Sequence, residues 1–272
     1  MSALKWIGAV IGWSFGGPIG AIIGLAIGGF GDSLSSGNGN PFIGEGDTRG
    51  SRSPYGEQNT RRTHSRPNYR SQRERREQTS SGDFEVSLLI LASIVIKADG
   101  KQDQRELDYV REQFVTMYGK ERANKAFRLF KGINAQDNIP TRKVCMQIQQ
   151  MMDHASRLQL LHFLFGIAKA DGMVTEDEVT QIYTIAGYLG ISSRDYKSIK
   201  AMFYDSTDNA YKILEIDKNA TVDDIKRAYR KMAKKYHPDK VEHLGEEHKK
   251  GAEAKFREVQ KAYEKLQKER RF

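Results

Sequence analysis

The chain has 272 residues, of which 38% are hydrophobic, so it can hold two small domains together with further segments. Its single cysteine, Cys145, excludes an intrachain disulfide and the paired cysteines of a zinc module, and it fits a reducing compartment. The net charge is +9, but no base-reading motif accompanies the basic residues, so we expect no nucleic-acid partner. No cofactor is predicted.

The first thirty residues, 1–30, contain a long uncharged stretch. No charged side chain occurs from Trp6 to Phe30, and a helix of this length reaches across a bilayer at about 1.5 Å per residue. Glycine recurs there at every fourth position: Gly8, Gly12, Gly16, Gly20, Gly24 and Gly28. In lipid the backbone must satisfy its own hydrogen bonds, which enforces a helix despite the glycines. We therefore predict a transmembrane helix with a glycine strip through which two copies can form a homodimer.

Two alternatives remain for this segment. One is a cleaved signal peptide, although Lys5 is the only basic residue before the apolar core. The other is a hairpin or re-entrant element broken at Gly16-Gly17-Pro18. Basic residues lie mostly after the segment, from Arg49 onward, which predicts a single-pass protein of the inner (cell) membrane with the bulk of the chain in the cytoplasm.

Residues 31–82 are rich in Gly, Ser, Asn and Arg and contain few apolar side chains. Such a segment cannot bury enough apolar surface to offset the entropy of ordering, so it is predicted to be a disordered linker. Contact of its arginines with nucleic acid or with anionic lipid is an alternative role.

The middle of the chain, residues 83–205, contains an internal repeat. The run Lys97-Ala98-Asp99-Gly100 recurs as Lys169-Ala170-Asp171-Gly172, and in each copy a glutamate, Glu106 or Glu178, follows seven positions after the aspartate. Each copy follows an apolar helical stretch, 88–97 or 158–169, and precedes another helix. The pattern predicts an all-α domain of two similar halves, and this arrangement resembles the TerB fold.

The acidic residues of the repeat have two interpretations. The resemblance implies a candidate divalent-cation site, which Asp99, Glu106, Asp171 and Glu178 would form if the two halves pack symmetrically. Their spacing does not fit an EF-hand. In the structural interpretation Asp-Gly forms a turn, Asp103 or Thr175 caps the next helix, and the glutamate completes a capping box.

Near the carboxy terminus the tripeptide His237-Pro238-Asp239 separates two amphipathic stretches. Apolar residues recur at helical spacing before it (Ile225, Ala228, Tyr229, Met232, Ala233, Tyr236) and after it (Ala252, Phe256, Val259, Ala262, Tyr263, Leu266). Two short helices can bury these faces against each other as an antiparallel hairpin. Because a proline disfavours helix in the residue before it, the first helix must stop there, displaying His237 and Asp239 at its end.

This region, residues 208–272, resembles the J-domain of DnaJ-type co-chaperones. The run from Ala228 to Asp239 follows the family pattern, as do Lys255-Phe256 and Ala262-Tyr263-Glu264. Where many J-domains carry Asn the chain has Val241, and the stretch from Val241 to Lys250 reads as a longer loop than in compact members.

The resemblance implies a binding module rather than an enzyme, docking on the ATPase of a DnaK-type chaperone. By similarity, His237, Pro238 and Asp239 carry the stimulation of ATP hydrolysis. We expect six cations on the exposed side of the first helix to form the electrostatic footprint: Lys226, Arg227, Arg230, Lys231, Lys234 and Lys235.

The order of membrane span, TerB-like domain and terminal J-domain resembles the DjlA family of membrane-anchored J-proteins. The resemblance implies a co-chaperone that recruits a DnaK-type chaperone, with the TerB-like domain selecting client polypeptides or other partners. The alternative is a metal- or stress-response membrane scaffold built on the TerB-like domain. An enzyme in the middle domain is disfavoured because no nucleophile–base pair accompanies the repeat.

Overall fold

The structure is a computed structural model that describes residues 16–27, 81–98, 100, 104–170, 172, 174–204 and 208–272. Every regular element in those ranges is helical, which confirms the predicted all-α class. The predicted linker, apart from its last two residues, lies outside the described part. The helices are α1 (residues 16–27), α2 (Ser81–Ile96), α3 (Gln104–Asn134), α4 (Thr141–Met151), α5 (His154–Ala168), α6 (Glu176–Tyr188), α7 (Ser193–Ala201), α8 (Asn209–Ile213), α9 (Val222–Lys235), a 3-10 helix (Pro238–Leu244) and α10 (Glu246–Arg270).

Helix α1 lies in the second half of the predicted transmembrane segment, and the remainder of that segment lies outside the described residues. Among the helices that the structure describes, none combines the length and apolar character needed to cross a bilayer. In the structure α1 lies against the helical domain that follows, with Ile19, Ile22 and Ala26 buried.

Helices α2 and α5 form the centre of the middle domain. Both are apolar on nearly all sides, and a helix of that kind must be surrounded by other elements. Helix α2 packs against α3, α4, α5 and α6, and α5 also contacts α7. Helix α2 also buries a charged side chain, Glu85, whose carboxylate lies 2.9 Å from the Arg122 guanidinium of α3.

The predicted repeat is visible in the helices. The starts of α3 and α6, Gln104 and Glu176, are separated by the same seventy-two positions as the two Lys-Ala-Asp-Gly runs. Gly100 and Gly172 both have positive φ, 73° and 91°, a conformation that glycine adopts without strain, so each run makes the predicted turn. The halves differ in α3, which is broken at Gly119 (φ 77°, ψ 165°).

The carboxy-terminal helices form the predicted hairpin. Helix α10 packs against α8, α9 and the 3-10 helix. Ile225 and Met232 of α9 and Val259 and Leu266 of α10 are buried, and the rings of Tyr229 and Tyr263 stack with centroids 4.2 Å apart.

The stretch from Val241 to Lys250, predicted to be a long loop, is mostly helical. Its first part belongs to the 3-10 helix, and α10 begins at Glu246, before the predicted second helix. The reason is apolar burial: Val241 and Leu244 are 2% and 0% exposed, so the 3-10 segment has a core-facing side of its own.

Candidate functional site

The end of α9 positions the tripeptide as the sequence predicts. The helix ends at Lys235, with Tyr236 as its C-cap, and His237 is extended with φ −60° and ψ 134°. Pro238 then occupies the first turn of the 3-10 helix, where a missing N–H costs nothing because it would have no helical partner. Proline therefore both ends one helix and starts the next.

His237 and Asp239 lie at this corner with their side chains open to solvent. The His237 side chain is 49% exposed and that of Asp239 is 67% exposed, as predicted for a displayed pair. The backbone N–H of Asp239 donates to Nδ1 of His237 over 3.3 Å, and the ring also packs edge-on against Phe256 with centroids 5.8 Å apart. These contacts fix the direction of the imidazole while its other edge stays available to a partner.

The basic face of α9 stands next to this corner. Five of the six predicted cations are exposed: Lys226, Arg227, Arg230, Lys231 and Lys234. Asp224, in the first turn, takes part in a capping box with Thr221 and lies 2.8 Å from Arg227. The box satisfies first-turn N–H groups of the helix that carries the cations.

Lys235 is placed differently from the other five, and the prediction that all six cations lie on the exposed side was wrong for this residue. Its side chain is 18% exposed, because Nζ bonds both Glu215, at 2.5 Å, and Asp195 of α7. Asp195 belongs to the middle domain, so Lys235 ties the hairpin to that domain. Its part in the predicted footprint stays a prediction.

Asp195 is at the centre of this junction. Burial alone would raise the pKa of Asp195, but hydrogen bonds from His154, Lys235 and Ser192 hold the pKa well below its usual value. Other contacts cross the junction: Oγ of Ser198 donates to the carbonyl of Ile213 over 2.8 Å, and His243 Nε2 lies 3.2 Å from Oγ of Ser156.

A second lysine of the hairpin, Lys255 of α10, is 2% exposed. Burial lowers the pKa of Lys255 to about 7. Its Nζ lies 5.7 Å from the centre of the Tyr236 ring. Burial, and next the charge of Lys255, lower the pKa of His162 in α5 well below its usual value. A lysine whose charged form is disfavoured by burial is therefore enclosed between the hairpin and the middle domain.

The predicted metal residues are only partly described. Asp99 and Asp171 lie outside the described residues, whereas Glu106 and Glu178 are both 5% exposed. Glu178 completes a capping box: its Oε2 accepts from the N–H of Thr175 at 2.8 Å, and Thr175 Oγ1 accepts from the N–H of Glu178. Within the described residues no group of three or more His, Cys, Asp or Glu side chains is placed to hold a metal ion.

Sequence reasoning missed Asp195, Glu215 and the burial of Lys255. Asp195 lies in the short helix α7 and Glu215 in the turn after α8, and neither segment has a pattern that marks a partner. Lys255 carried a signal only through its place in the J-domain pattern, which does not indicate what covers it.

Three family models match the chain, one after another. The first describes the transmembrane domain of the co-chaperone DjlA and matches residues 1–53. The second describes the tellurite resistance protein TerB and matches residues 85–201, and the third describes the DnaJ domain and matches residues 209–271.

Curated relatives match the carboxy-terminal region. The chain is 54% identical over 56 residues to the chaperone protein DnaJ of Fusobacterium nucleatum subsp. polymorphum, and 56% identical over 61 residues to that of Lactococcus lactis subsp. lactis. It is also 54% identical over 56 residues to the DnaJ of Thermoplasma acidophilum. These matches cover 21% or 22% of this chain and only 14% of each relative. No solved structure shows a significant match.

A helical hairpin with an exposed His-Pro-Asp corner, matched by the DnaJ domain, defines a J-domain protein. With the transmembrane and TerB models before it, the chain belongs to the DjlA-like, membrane-anchored J-domain co-chaperones.

Proposed function

We propose that the chain recruits a DnaK-type chaperone through its hairpin and stimulates the ATP hydrolysis of that chaperone, acting by binding rather than as an enzyme itself. The observation that carries the proposal is the exposed corner of His237 and Asp239, held in a defined orientation at the end of a basic helix. The basic face of α9 attracts an acidic partner over several ångströms, and the corner supplies a directional contact once the partner is bound.

The rest of the chain supplies the location and the choice of partner in this proposal. Residues 1–30 anchor the protein as a single pass in the inner membrane, with 31–82 as the tether, and the glycine strip is a route to a homodimer. The TerB-like domain, residues 83–205, selects client polypeptides, and residues 208–272 work in the cytoplasm as the J-domain.

The test is single-turnover ATP hydrolysis by the cognate DnaK-type chaperone, with the full chain reconstituted in lipid nanodiscs. The intact chain is expected to accelerate hydrolysis, and His237→Gln is expected to return the rate to that of the chaperone alone, since the directional contact is lost. Equal rates with the intact chain, with the variant and with empty nanodiscs would remove the proposal.

The metal-scaffold alternative depends on the acidic repeat. Calorimetric titration of the full chain with calcium or zinc, compared with the double variant Glu106→Gln/Glu178→Gln, decides it. Because Glu178 already serves the cap of α6, we expect the same weak heat from both proteins. Tight binding by the intact chain that the double variant lacks would instead support a metal site.

A further inference from the structure

Helix α1 packs on a defined surface of the TerB-like domain, which we call the seat. Ile19, Ile22 and Ala26 recur at i, i+3 and i+7, so they form one face of the helix, and each is at most 7% exposed. These residues are continuous with the buried core of the domain, so the domain offers an apolar surface that fits one side of a helix.

Two glutamines of the domain hold α1 by its backbone. Gln147 of α4 accepts a hydrogen bond from the N–H of Ile19 over 3.0 Å and donates to the carbonyl of Gly16 over 2.7 Å. Gln136, just after α3, donates to the carbonyl of Ile22 over 2.9 Å. All three hydrogen bonds go to backbone atoms of α1 and none to a side chain, so the two glutamines can hold helices of different apolar sequence in the same way.

The seat also favours glycine at one position of α1, Gly17. A Cβ added at Gly17 would come within 3.3 Å of Gln147 Oε1, and Gly17 has φ +58°, which L residues rarely adopt. A side chain at Gly17 would therefore be strained and would crowd the Gln147 amide that holds the helix. Apolar helices with glycine near one end are therefore favoured over helices covered with large side chains.

A helix inserted in a bilayer cannot lie along α4 at the same time. The transmembrane family model matches residues 1–53, which include all of α1, so membrane insertion vacates the seat. That leaves the amides of Gln136 and Gln147 beside an exposed apolar surface, a combination that binds apolar partners. In a membrane-anchored chain the predicted linker, residues 31–82, tethers this surface to the bilayer.

We propose that the vacated seat, formed by Gln136, Gln147 and the apolar surface beneath α1, binds an apolar, glycine-containing helix of a client polypeptide, namely a membrane-spanning segment that is not yet inserted. This inference rests on the proposed function, because it gives the chemical class of the clients that the TerB-like domain selects. The occupant seen in the structure is itself a segment of this chemistry. A second copy of the chain does not fill the seat, because its own α1 is inserted as well.

The test uses the full chain in nanodiscs of phosphatidylethanolamine and phosphatidylglycerol, with no DnaK-type partner present. The probe is a fluorescent peptide of residues 16–27 flanked by lysines for solubility, and binding is measured by anisotropy against empty nanodiscs. We expect saturable binding that weakens at least about tenfold in Gln136→Ala/Gln147→Ala, as three lost neutral hydrogen bonds imply. The matched control is Gln150→Ala, an exposed glutamine of α4, which should bind as the intact chain does.

Peptide selectivity gives a second readout. A peptide with leucine in place of Gly17 should bind at least about tenfold more weakly, because leucine disfavours positive φ and crowds Gln147. Equal or tighter binding would overturn the proposal, as would unchanged affinity in the double variant or no binding to the intact chain.

A cross-linking readout does not depend on the double variant folding. In Gln147→Cys, a peptide carrying cysteine at the position of Gly16 is expected to form a disulfide when dissolved oxygen is supplied as the oxidant. If Gly16→Cys of the same chain cross-links to it in nanodiscs instead, the chain's own segment fills the seat and the inference fails. Because no chaperone is present, failure here leaves the stimulation of ATP hydrolysis to be judged separately.

Discussion

Lys255 lies in an environment that disfavours its charge. Its side chain is enclosed between α10 and the TerB-like domain, near the ring of Tyr236, and His162 is the titratable group with which its charge interacts. Burial removes water from the lysine ammonium and favours loss of its proton, and both changes cost free energy that weakens the contact enclosing the side chain. Lys255 therefore limits how firmly the hairpin is held to the domain.

Stability should consequently change with pH in a defined window. The pKa of Lys255 is about 7 in the folded chain, below its ordinary value of 10.5. Between these values the unfolded chain holds a proton that the folded chain lacks, so stability rises with pH across that range and stays at its lower level below pH 7. Lys255→Met should raise the free energy of unfolding at pH 7 by roughly 2 kcal/mol and flatten this rise.

Urea denaturation of the full chain from pH 6 to 10 measures both effects. The matched control is Lys250→Met, an exposed lysine of the same helix, which should leave the pH dependence as it is. A steeper or unchanged rise in Lys255→Met would show that another group titrates.

At the scale of the element, the sequence predicts the helices well wherever burial is local. The apolar runs of α2 and α5 and the turns at Gly100 and Gly172 follow from periodicity and turn chemistry alone. The stretch after Asp239 was wrongly predicted as a loop, because the burial of Val241 and Leu244 comes from contacts with α10 and α5 that no local pattern reveals.

The basic face of α9 gives a prediction about rates. Reversing two exposed charges, Arg230→Glu and Lys234→Glu, should slow association with the DnaK-type chaperone by at least about tenfold at low salt, and by less as salt screens the field. The control, Lys265→Glu with Lys268→Glu on α10, changes the net charge equally but lies on another helix. Stopped-flow association rates across a salt series measure this; equal slowing by both pairs would mean that only net charge matters.

At the scale of the whole molecule, the corner of His237 and Asp239 was predictable, whereas the junction that holds it against the TerB-like domain was not. The corner follows from one proline between two amphipathic stretches. The junction pairs Lys235 with Asp195, forty positions earlier, on helices whose charged residues resemble any solvated face. Contacts of this kind depend on how two domains meet, and composition and periodicity do not contain that information.

Asp195 should therefore stabilise the junction between the hairpin and the TerB-like domain, and this stabilisation should be lost in acid. Because the pKa of Asp195 is depressed in the folded chain, its contribution to stability is complete above the ordinary aspartate pKa of about 4. That contribution is lost as the pH falls below this value. At neutral pH, Asp195→Asn should weaken the junction by about 2 kcal/mol, a typical value for a hydrogen bond to a charged group.

Amide hydrogen exchange of α7 and the 3-10 helix measures how far Asp195→Asn weakens the junction. Exchange there should speed up in Asp195→Asn and stay unchanged in Asp223→Asn, an exposed aspartate of α9. Equal protection from exchange in both variants would show that the pairing of Lys235 with Asp195 does not stabilise the junction.

The displayed corner is the central claim, and one measurement tests it most directly. Single-turnover ATP hydrolysis by the DnaK-type chaperone is followed with the nanodisc-bound chain, with Asp239→Asn and with Asp217→Asn, an exposed aspartate outside the corner. Both variants remove one negative charge, but only Asp239→Asn removes the exposed carboxylate beside His237. The account predicts that Asp239→Asn leaves hydrolysis at the basal rate while Asp217→Asn stimulates as the intact chain does; full stimulation by Asp239→Asn would contradict it.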